Sequence, residues 1–422
     1  MKTKRDLLPL FLSCALPLVS VAADWPSWRG PEADGSVAEG ELPAKLEVAW
    51  KAELPGRGCS TPVVSGEQIF LTAPVENKDA LISFGSDGQE KWRLVFGEQR
   101  PGRGQRTGSG ANSSPLIHEG KVFAYFKSGL VVAADLSGKE LWRTNLIEHY
   151  GEDKLWWDQG TTPVIADGKL VIAVMQTDGK SYLVALDPAS GKEVWFTERE
   201  FEVKKETGDS YTTPHVAEVD GVETIISFGA DHIAGHAAKD GKLLWSSAGL
   251  NPEKKAMWRT IASSVYVDGV VVVPHGRGEF LAGIKAGGAG DVTEKALLWR
   301  EKIESTDAAT PVGLPGGRVL LLADRGRTRG TVTLLEARSG EVIWQDELPK
   351  AAGTYYSSPI VVGEQACFAR EDGGVFIATL GEKGLENVVE GKLDDSFIAS
   401  PIYAHDRLIL RGDRFLWGLA EK

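Results

Sequence analysis

The strongest constraint on the fold is a short motif that recurs eight times, in which small or hydroxyl residues precede a proline or, in one copy, a valine. Successive copies are 42 to 53 residues apart, and repeats of about 40 to 50 residues are typical of propeller blades or solenoid units. Because proline has no N–H for a ladder, each copy predicts the start of a strand. The copies are Ser60-Thr61-Pro62, Ser113-Ser114-Pro115, Thr161-Thr162-Pro163, Thr212-Thr213-Pro214, Ser263-Ser264-Val265, Ala309-Thr310-Pro311, Ser357-Ser358-Pro359 and Ala399-Ser400-Pro401.

A second repeat consists of a tryptophan that follows a glycine turn, as in Ser190-Gly191-Lys192-Glu193-Val194-Trp195. Between each proline and the next tryptophan, Asp-Gly and Ser-Gly pairs supply the positive φ angles that tight hairpins need. Each unit therefore predicts four short antiparallel strands, which make one blade. Together the units predict an all-β, eight-bladed β-propeller. The tryptophans are Trp92, Trp142, Trp195, Trp245, Trp299 and Trp344, with Trp50 as a seventh that has no blade in front of it.

The two ends of the chain are expected to share the last blade. The final unit ends at residues 415–419 after three strands, so the strand that carries Trp50 is predicted to complete it and to close the ring. Closure removes the open sheet edges of a linear array. The seventh unit lacks its tryptophan and has Val388 or Val389 in that place. We expect each tryptophan to lie flat between neighbouring blades and to donate its indole N–H, a structural role.

Composition excludes several other classes of protein. A chain with 49 glycines, 13 tryptophans and 3 methionines does not suit a helical bundle. A helical solenoid is excluded because no unit offers ten residues of helical periodicity free of glycine. The net charge of −12 opposes binding to nucleic acid or to an anionic membrane surface. We expect a soluble monomer.

Residues 1–23 have the pattern of a secretory signal peptide, with a basic start, an apolar stretch and Ala22-Ala23 at the expected cleavage site. The alternative is a lipoprotein acylated at Cys14, but its surroundings make a poor lipobox. No other stretch is long and apolar enough to span a bilayer. We therefore expect an exported protein, periplasmic or secreted, with an extended segment over 24–43 and a single propeller over 44–422.

Two further pairs of residues leave alternatives open. Cys59 and Cys367 remain after cleavage and could form a disulfide or serve as two buried thiols. His232 and His236 are four residues apart, as in a zinc helix, but the repeat places them near a strand. No metal site and no catalytic residue is assigned from spacing alone.

The tryptophan repeat resembles that of a known family. The string Ala185–Trp195 is similar to the tryptophan-docking motif A-x-D-x-x-[TS]-G-x-x-x-W of quinoprotein alcohol dehydrogenases. The same repeat occurs in the outer-membrane assembly lipoprotein BamB and in secreted PQQ-like propellers. The opening Trp25-Pro26-Ser27-Trp28-Arg29-Gly30-Pro31 resembles the N-terminal segment of that secreted group. The resemblance implies the fold over the whole mature chain, and function separates readily from fold.

The loops just before each repeated proline should meet at one mouth of the central channel, as strand-end loops do in closed β architectures. Aromatic side chains could stack a planar ring there, arginines could pair with carboxylates, and carboxylates could hold a cation. The alternative is that these side chains bond adjacent blades and plug the channel. The predicted ligand-binding residues are Arg57, Arg106, Asn112, Trp157, Asp158, Asp209, Tyr211, Trp258, Arg259, Asp307, Tyr355 and Asp395.

Two hypotheses of function follow. The first is an exported, non-catalytic, BamB-like propeller that binds a protein partner or an envelope ligand at the channel mouth and needs no cofactor. The second, implied by the resemblance, is a dehydrogenase of alcohols or sugars that uses pyrroloquinoline quinone (PQQ) and Ca²⁺. There Asp158 or Asp209 would be base or calcium ligand. Against the second, the chain lacks the adjacent cysteine pair that is common in those enzymes.

Overall fold

The computed structural model describes residues 24–100, 108–303 and 306–420. They form eight small antiparallel sheets arranged in a ring, which confirms the predicted eight-bladed propeller. Blade 1 contains the strands Val63–Ser65, Gln68–Val75, Lys78–Gly85 and Glu90–Glu98, and blade 2 contains Leu116–His118, Lys121–Tyr125, Leu130–Asp135 and Glu140–Asn145. Blade 3 contains Val164–Ala166, Lys169–Val174, Tyr182–Leu186 and Glu193–Glu198, and blade 4 contains His215–Val219, Val222–Gly229, His232–Ala237 and Leu243–Ser247. Blade 5 contains Val265–Val267, Val270–His275, Phe280–Lys285 and Leu297–Glu301, and blade 6 contains Val312–Leu314, Arg318–Leu322, Thr331–Glu336 and Val342–Glu347. Blade 7 contains Ile360–Val362, Gln365–Ala369, Gly374–Leu380 and Leu385–Lys392, and blade 8 contains Ile402–Ala404, Arg407–Arg411, Phe415–Leu419 and Val48–Glu53.

Few elements lie outside the blades. Two short strands, Ser36–Val37 and Gly290–Asp291, add in parallel to blades 7 and 4. Two short α-helices span Leu146–Tyr150 and Thr293–Ala296, and one 3₁₀ turn spans Lys205–Gly208. Within the described ranges, no helix is both long and apolar enough to cross a bilayer. The signal peptide predicted over residues 1–23, and with it Cys14, lies outside these ranges.

Blade 8 is built from both ends of the chain, as predicted. Val48–Glu53 pairs antiparallel with Phe415–Leu419, and Trp50 is opposite Gly418. In each blade the first strand faces the channel, and the fourth carries the more exposed side chains at the periphery. We call the mouth that holds the connections between blades and the second hairpin of each blade the upper mouth. The lower mouth holds the first and third hairpins.

The hydroxyl residue before each repeated proline belongs to a ring of hydrogen bonds around the channel. The backbone N–H of one blade donates to the side-chain oxygen of the equivalent residue in the next blade, at 2.9 to 3.2 Å. The fifth blade differs from the sequence expectation by one residue. There Ser263 takes the hydroxyl position and Ser264 takes the place of the proline. The observed links are Thr61–Ser114, Ser114–Thr162, Thr162–Thr213, Thr213–Ser263, Ser263–Thr310, Thr310–Ser358 and Ser400–Thr61.

The repeated tryptophans join neighbouring blades. Four of them donate the indole N–H to a carbonyl of the next blade: Trp92 to Leu136, Trp142 to Pro188, Trp195 to Ala238 and Trp299 to Ala337, at 2.8 to 3.2 Å. The expectation that every indole donates is wrong for Trp50, Trp245 and Trp344, which find no acceptor among the described residues. Ring packing suffices at Trp50, which covers Gly88 of blade 1.

The N-terminal segment, residues 24–46, crosses the lower mouth and joins the first blades to the last. Trp25 exchanges two backbone hydrogen bonds with Val64 of blade 1, and Asp34 accepts one from Gly313 of blade 6. Further along, Leu42 is buried and its N–H donates to Gln365 of blade 7. Val389 occupies the tryptophan position of blade 7, and Leu42 packs in the same apolar cluster. The segment thus fills the joint where the repeat has no tryptophan.

Candidate functional site

A cavity of about 400 Å³ opens at the upper mouth of the channel. Its walls come from the loops between blades and from the second hairpins, since both end at this mouth. Its volume lies within the range of sites for small ligands, about 300 to 1,000 Å³. Six of the residues predicted from the sequence line it: Asn112, Trp157, Asp158, Tyr211, Arg259 and Asp307.

A buried group of charges forms one wall. Arg259 donates to both oxygens of Asp307, at 3.0 and 3.4 Å, and Arg325 reaches the same carboxylate at 2.9 Å. On its other side, Arg259 is 3.7 Å from Glu206. Asp307 and Arg259 are both more than nine-tenths buried, so these pairs are shielded from solvent. Asp307 therefore pairs with both Arg259 and Arg325, which come from two blades, and holds their loops together.

The opposite wall contains a second buried ion pair. Lys127, on the second hairpin of blade 2, donates to Asp158 on the loop that enters blade 3. Both side chains are more than nine-tenths buried. The pair joins the second hairpin of one blade to the loop that enters the next. Asp158 is thus already engaged within the protein.

The aromatic side chains of the wall are also fixed. The backbone N–H of Trp157 donates to the hydroxyl of Tyr211 at 2.9 Å, and its indole N–H donates to Glu206 at 3.0 Å. Burial raises the pKa of Tyr211, so its hydroxyl stays protonated. These bonds hold both rings in one orientation, as a preformed site requires.

Asp324 supports the loop that carries Asp307. One of its oxygens accepts hydrogen bonds from the backbone N–H groups of Asp307 and Ala308, at 2.8 and 2.5 Å, and from the hydroxyl of Thr306 at 3.1 Å. Burial raises the pKa of Asp324 to about 6. These hydrogen bonds fix the conformation of the loop that carries Asp307.

Five predicted residues do not line the cavity, because each bonds its own or a neighbouring loop. Arg57 pairs with Asp413 at 3.1 Å, and Asp209 accepts the backbone N–H groups of Trp156 and Thr177, at 3.1 and 2.8 Å. The remaining three have structural contacts in their own blades. Trp258 packs on Phe280, Tyr355 accepts from Arg370 at 3.2 Å, and Asp395 accepts from the indole of Trp417 at 3.0 Å. Arg106 lies outside the described residues.

Sequence reasoning missed the second hairpins and the N-terminal segment. The cavity is also lined by Arg277, Asp324 and Arg325, and by Trp28 from the segment that crosses the lower mouth. The hairpin residues had a signal in the sequence, since a basic residue follows the second strand of blades 2, 5 and 6 almost at once. Trp28 had none, because nothing in the repeat predicts where the residues before blade 1 pass.

Trp28 separates two cavities. It lines the upper cavity and also a smaller one of about 280 Å³ on the lower side, whose other walls include Pro26, Arg29 and Pro311. Arg29 is buried and donates to the carbonyl of Pro311 at 3.2 Å, which fastens the segment to blade 6. The upper cavity is consequently a cup that opens at the upper mouth.

The two residue pairs left open by the sequence have structural roles. Cys59 lines the upper cavity and Cys367 lies in the core, and no disulfide joins them within the described ranges. Burial raises the pKa of Cys59 to about 11, so its thiol stays protonated. His232 stacks on Phe201, with 3.9 Å between ring centroids. Among the described residues, no group of three or more His, Cys, Asp or Glu is placed to hold a metal ion.

The closed ring of tryptophan-linked blades defines the class of this protein as an eight-bladed propeller with PQQ-like repeats. Comparison with known families agrees, because the family described as outer membrane protein assembly factor BamB matches residues 44–176, 137–290 and 285–417. The chain belongs to this family, and the resemblance seen in its sequence is confirmed. No curated protein matches the chain in sequence.

Solved structures with the same fold include enzymes and a protein of the BamB type. Quinohemoprotein alcohol dehydrogenase from Comamonas testosteroni superposes with a TM-score of 0.67 and 13% identity, over 95% of this chain and 81% of that one. BamB from Moraxella catarrhalis gives a TM-score of 0.61 and 14% identity, over 89% and 98%. A europium-containing methanol dehydrogenase gives 0.64 and 12%, over 94% and 90%. At such identities the likeness establishes the fold alone.

Proposed function

We propose that this chain is an exported, non-catalytic binding propeller of the cell envelope, which recognises a partner protein or an envelope ligand at the upper mouth. One observation carries the proposal: the cavity is preformed, but its carboxylates are already committed. Asp158 is paired with Lys127, and Asp307 is paired with Arg259 and Arg325. A general base needs a carboxylate that can take a proton from a substrate. A cup of this kind suits binding.

The alternative is a quinoprotein dehydrogenase, and the structural neighbours raise it. PQQ would supply the redox chemistry, and Ca²⁺ would need about six to eight oxygen ligands beside it. The described residues around the cavity do not fit this pair. Asp158 is paired with Lys127, and Asp209 accepts backbone N–H groups from two loops. These contacts count against the roles of calcium ligand and base that the sequence suggested for Asp158 and Asp209.

A comparison of two variants tests the binding role. Tyr356 lines the cavity, whereas Ile343 is exposed on the outer strand of blade 6. Tagged mature protein is incubated with envelope extract, and bound protein is quantified by mass spectrometry. We expect a partner that the wild type and Ile343→Ala retain and that Tyr356→Ala loses. Equal recovery by all three would contradict a binding site at the upper mouth, and no partner above background would contradict a protein as the bound partner.

A titration with PQQ and Ca²⁺ separates the two functions. Trp28 and Trp157 line the cavity, so a quinone bound there would quench their fluorescence. We expect no saturable quenching beyond that of free tryptophan, and no dye-linked oxidation of alcohols or sugars. Saturable quenching together with such activity would replace the binding function with the dehydrogenase.

A further inference from the structure

The hydroxyl ring around the channel offers hydrogen-bond donors at the upper cavity. Seven of the eight ring oxygens, all but that of Ser400, accept a backbone N–H from the preceding blade, and the O–H groups of these seven have no acceptor among the described residues. A hydroxyl whose lone pair is occupied can still donate its proton. Five of these hydroxyls line the upper cavity: Thr61, Ser114, Thr162, Thr310 and Ser358.

Arg277 adds a cation to the same cavity. It forms the tip of the second hairpin of blade 5, with φ angles of 62°, 60° and 82° at Gly276, Arg277 and Gly278. These positive φ values are those of a tight hairpin turn, and Asp167 and Asp268 adopt the same conformation at other hairpins. The carbonyl of Arg277 accepts a hydrogen bond from Arg325 at 3.0 Å, which helps to hold the tip in place.

The guanidinium of Arg277 differs from its two neighbours. Arg259 and Arg325 both bond Asp307, whereas Arg277 has no hydrogen-bond acceptor among the described residues, although it lines the cavity. Burial and the charge of Arg259 lower the pKa of Arg277. An anion that bonded its N–H groups would relieve both effects, and a carboxylate matches the planar fork of a guanidinium.

We propose that the upper cavity binds a polyhydroxylated carboxylate of the sugar-acid class. Its carboxylate bonds Arg277, and its ring and hydroxyl oxygens accept from the channel hydroxyls. The C–H face of the ligand rests on Trp28 or Trp157, since indole offers a flat apolar surface. The inference rests on the proposed function, because it names the chemical class of the envelope ligand.

Isothermal titration with D-galacturonate tests the inference, with D-galactose as the matched ligand that lacks only the carboxylate. We expect saturable binding of the acid and at least about tenfold weaker binding of the neutral sugar. Trigalacturonate in a parallel titration shows whether the ligand is a free sugar acid or a chain end, and tighter binding of either supports the inference. If neither binds, or if galactose binds as well as galacturonate, the inference is overturned.

Variants locate the carboxylate. We expect Arg277→Gln to weaken galacturonate binding by about tenfold or more and to fold normally, because the side chain has no hydrogen bond to lose. Arg338→Gln, at an exposed turn, should bind as the wild type does. Unchanged affinity in Arg277→Gln overturns the assignment. Recovery of a protein partner that depends on Tyr356, without any sugar-acid binding, would remove this inference and leave the binding function in place.

Discussion

The backbone N–H of Ser400 donates to the side-chain oxygen of Thr61 at 3.0 Å and so ties the last blade to the first across 339 positions. In Thr61→Val this buried N–H loses its acceptor, which costs about 1 to 3 kcal/mol. We therefore expect Thr61→Val to unfold at lower urea concentration. Thr61→Ser keeps the oxygen and is the control. Equal midpoints for the two variants would show that this link does not hold the ring closed.

The contact between Trp50 and Gly88 closes the same joint at the lower mouth. Gly88 has φ of 79° and lies directly beneath the indole, so a Cβ there would be strained and would also meet the ring. We expect Gly88→Ala to destabilise the protein by about 1 to 3 kcal/mol. Gly66→Ala is the control, since Gly66 also has a positive φ but open space around its Cβ position. Urea unfolding should show the larger loss for Gly88→Ala.

Trp25 anchors the N-terminal segment to blade 1. Its side chain is fully buried, and truncation of such a ring to alanine costs about 3 to 5 kcal/mol. We expect Trp25→Ala to release residues 24–46 and to make them sensitive to a protease at concentrations that leave the wild type intact. Met257→Ala, at an exposed position, is the control. A segment equally resistant in both variants would mean that its contacts with blades 6 and 7 suffice.

Asp79 should make stability depend on pH. The side chain is buried, accepts one hydrogen bond from Ser128 at 2.6 Å, and has a pKa raised to about 7 by burial. In the unfolded chain the pKa of Asp79 is about 4, so between about pH 4 and 7 the carboxyl group is protonated in the folded state and ionised in the unfolded state. This contribution to stability is complete below about pH 4 and is lost as the pH rises through 7, with a slope of up to about 1.4 kcal/mol per unit.

Removal of the titrating group tests that prediction. Asp79→Asn stays neutral, so the loss of stability between pH 5.5 and 7.5 should be smaller in this variant than in the wild type. The exposed Asp240→Asn should follow the wild type. Parallel slopes in all three proteins, measured by urea unfolding at each pH, would show that another group controls the dependence.

The repeat made the fold predictable from the sequence. The prolines fixed where strands begin, and the lone Trp50 indicated the shared last blade, because a tryptophan with no preceding blade has to join another one. The error at Ser263-Ser264 arose where the proline is missing, since two adjacent serines leave the register open. The path of residues 24–46 depends on contacts with several blades, and no local pattern reports such contacts.

The site was predictable only in its location. The loops before the prolines do meet at one mouth, but composition could not separate Asp307, which lines the cavity, from Asp395, which caps its own blade. Both are aspartates before a repeated strand, and only the direction of the side chain distinguishes them. Arg277 was not predicted because it lies on a hairpin within blade 5, whereas the repeated prolines mark only the connections between blades.

The shared last blade also governs the order in which the chain can assemble. Val48–Glu53 is synthesised early, and its partner Phe415–Leu419 follows only after the other seven blades, so this strand cannot pair until then. Pairing at such sequence separation is slow, because the entropy of loop closure is lost before the contact forms. A nascent chain therefore carries an unpaired strand until Phe415–Leu419 has been synthesised, and deletion of Phe415–Leu419 would leave Val48–Glu53 without its partner.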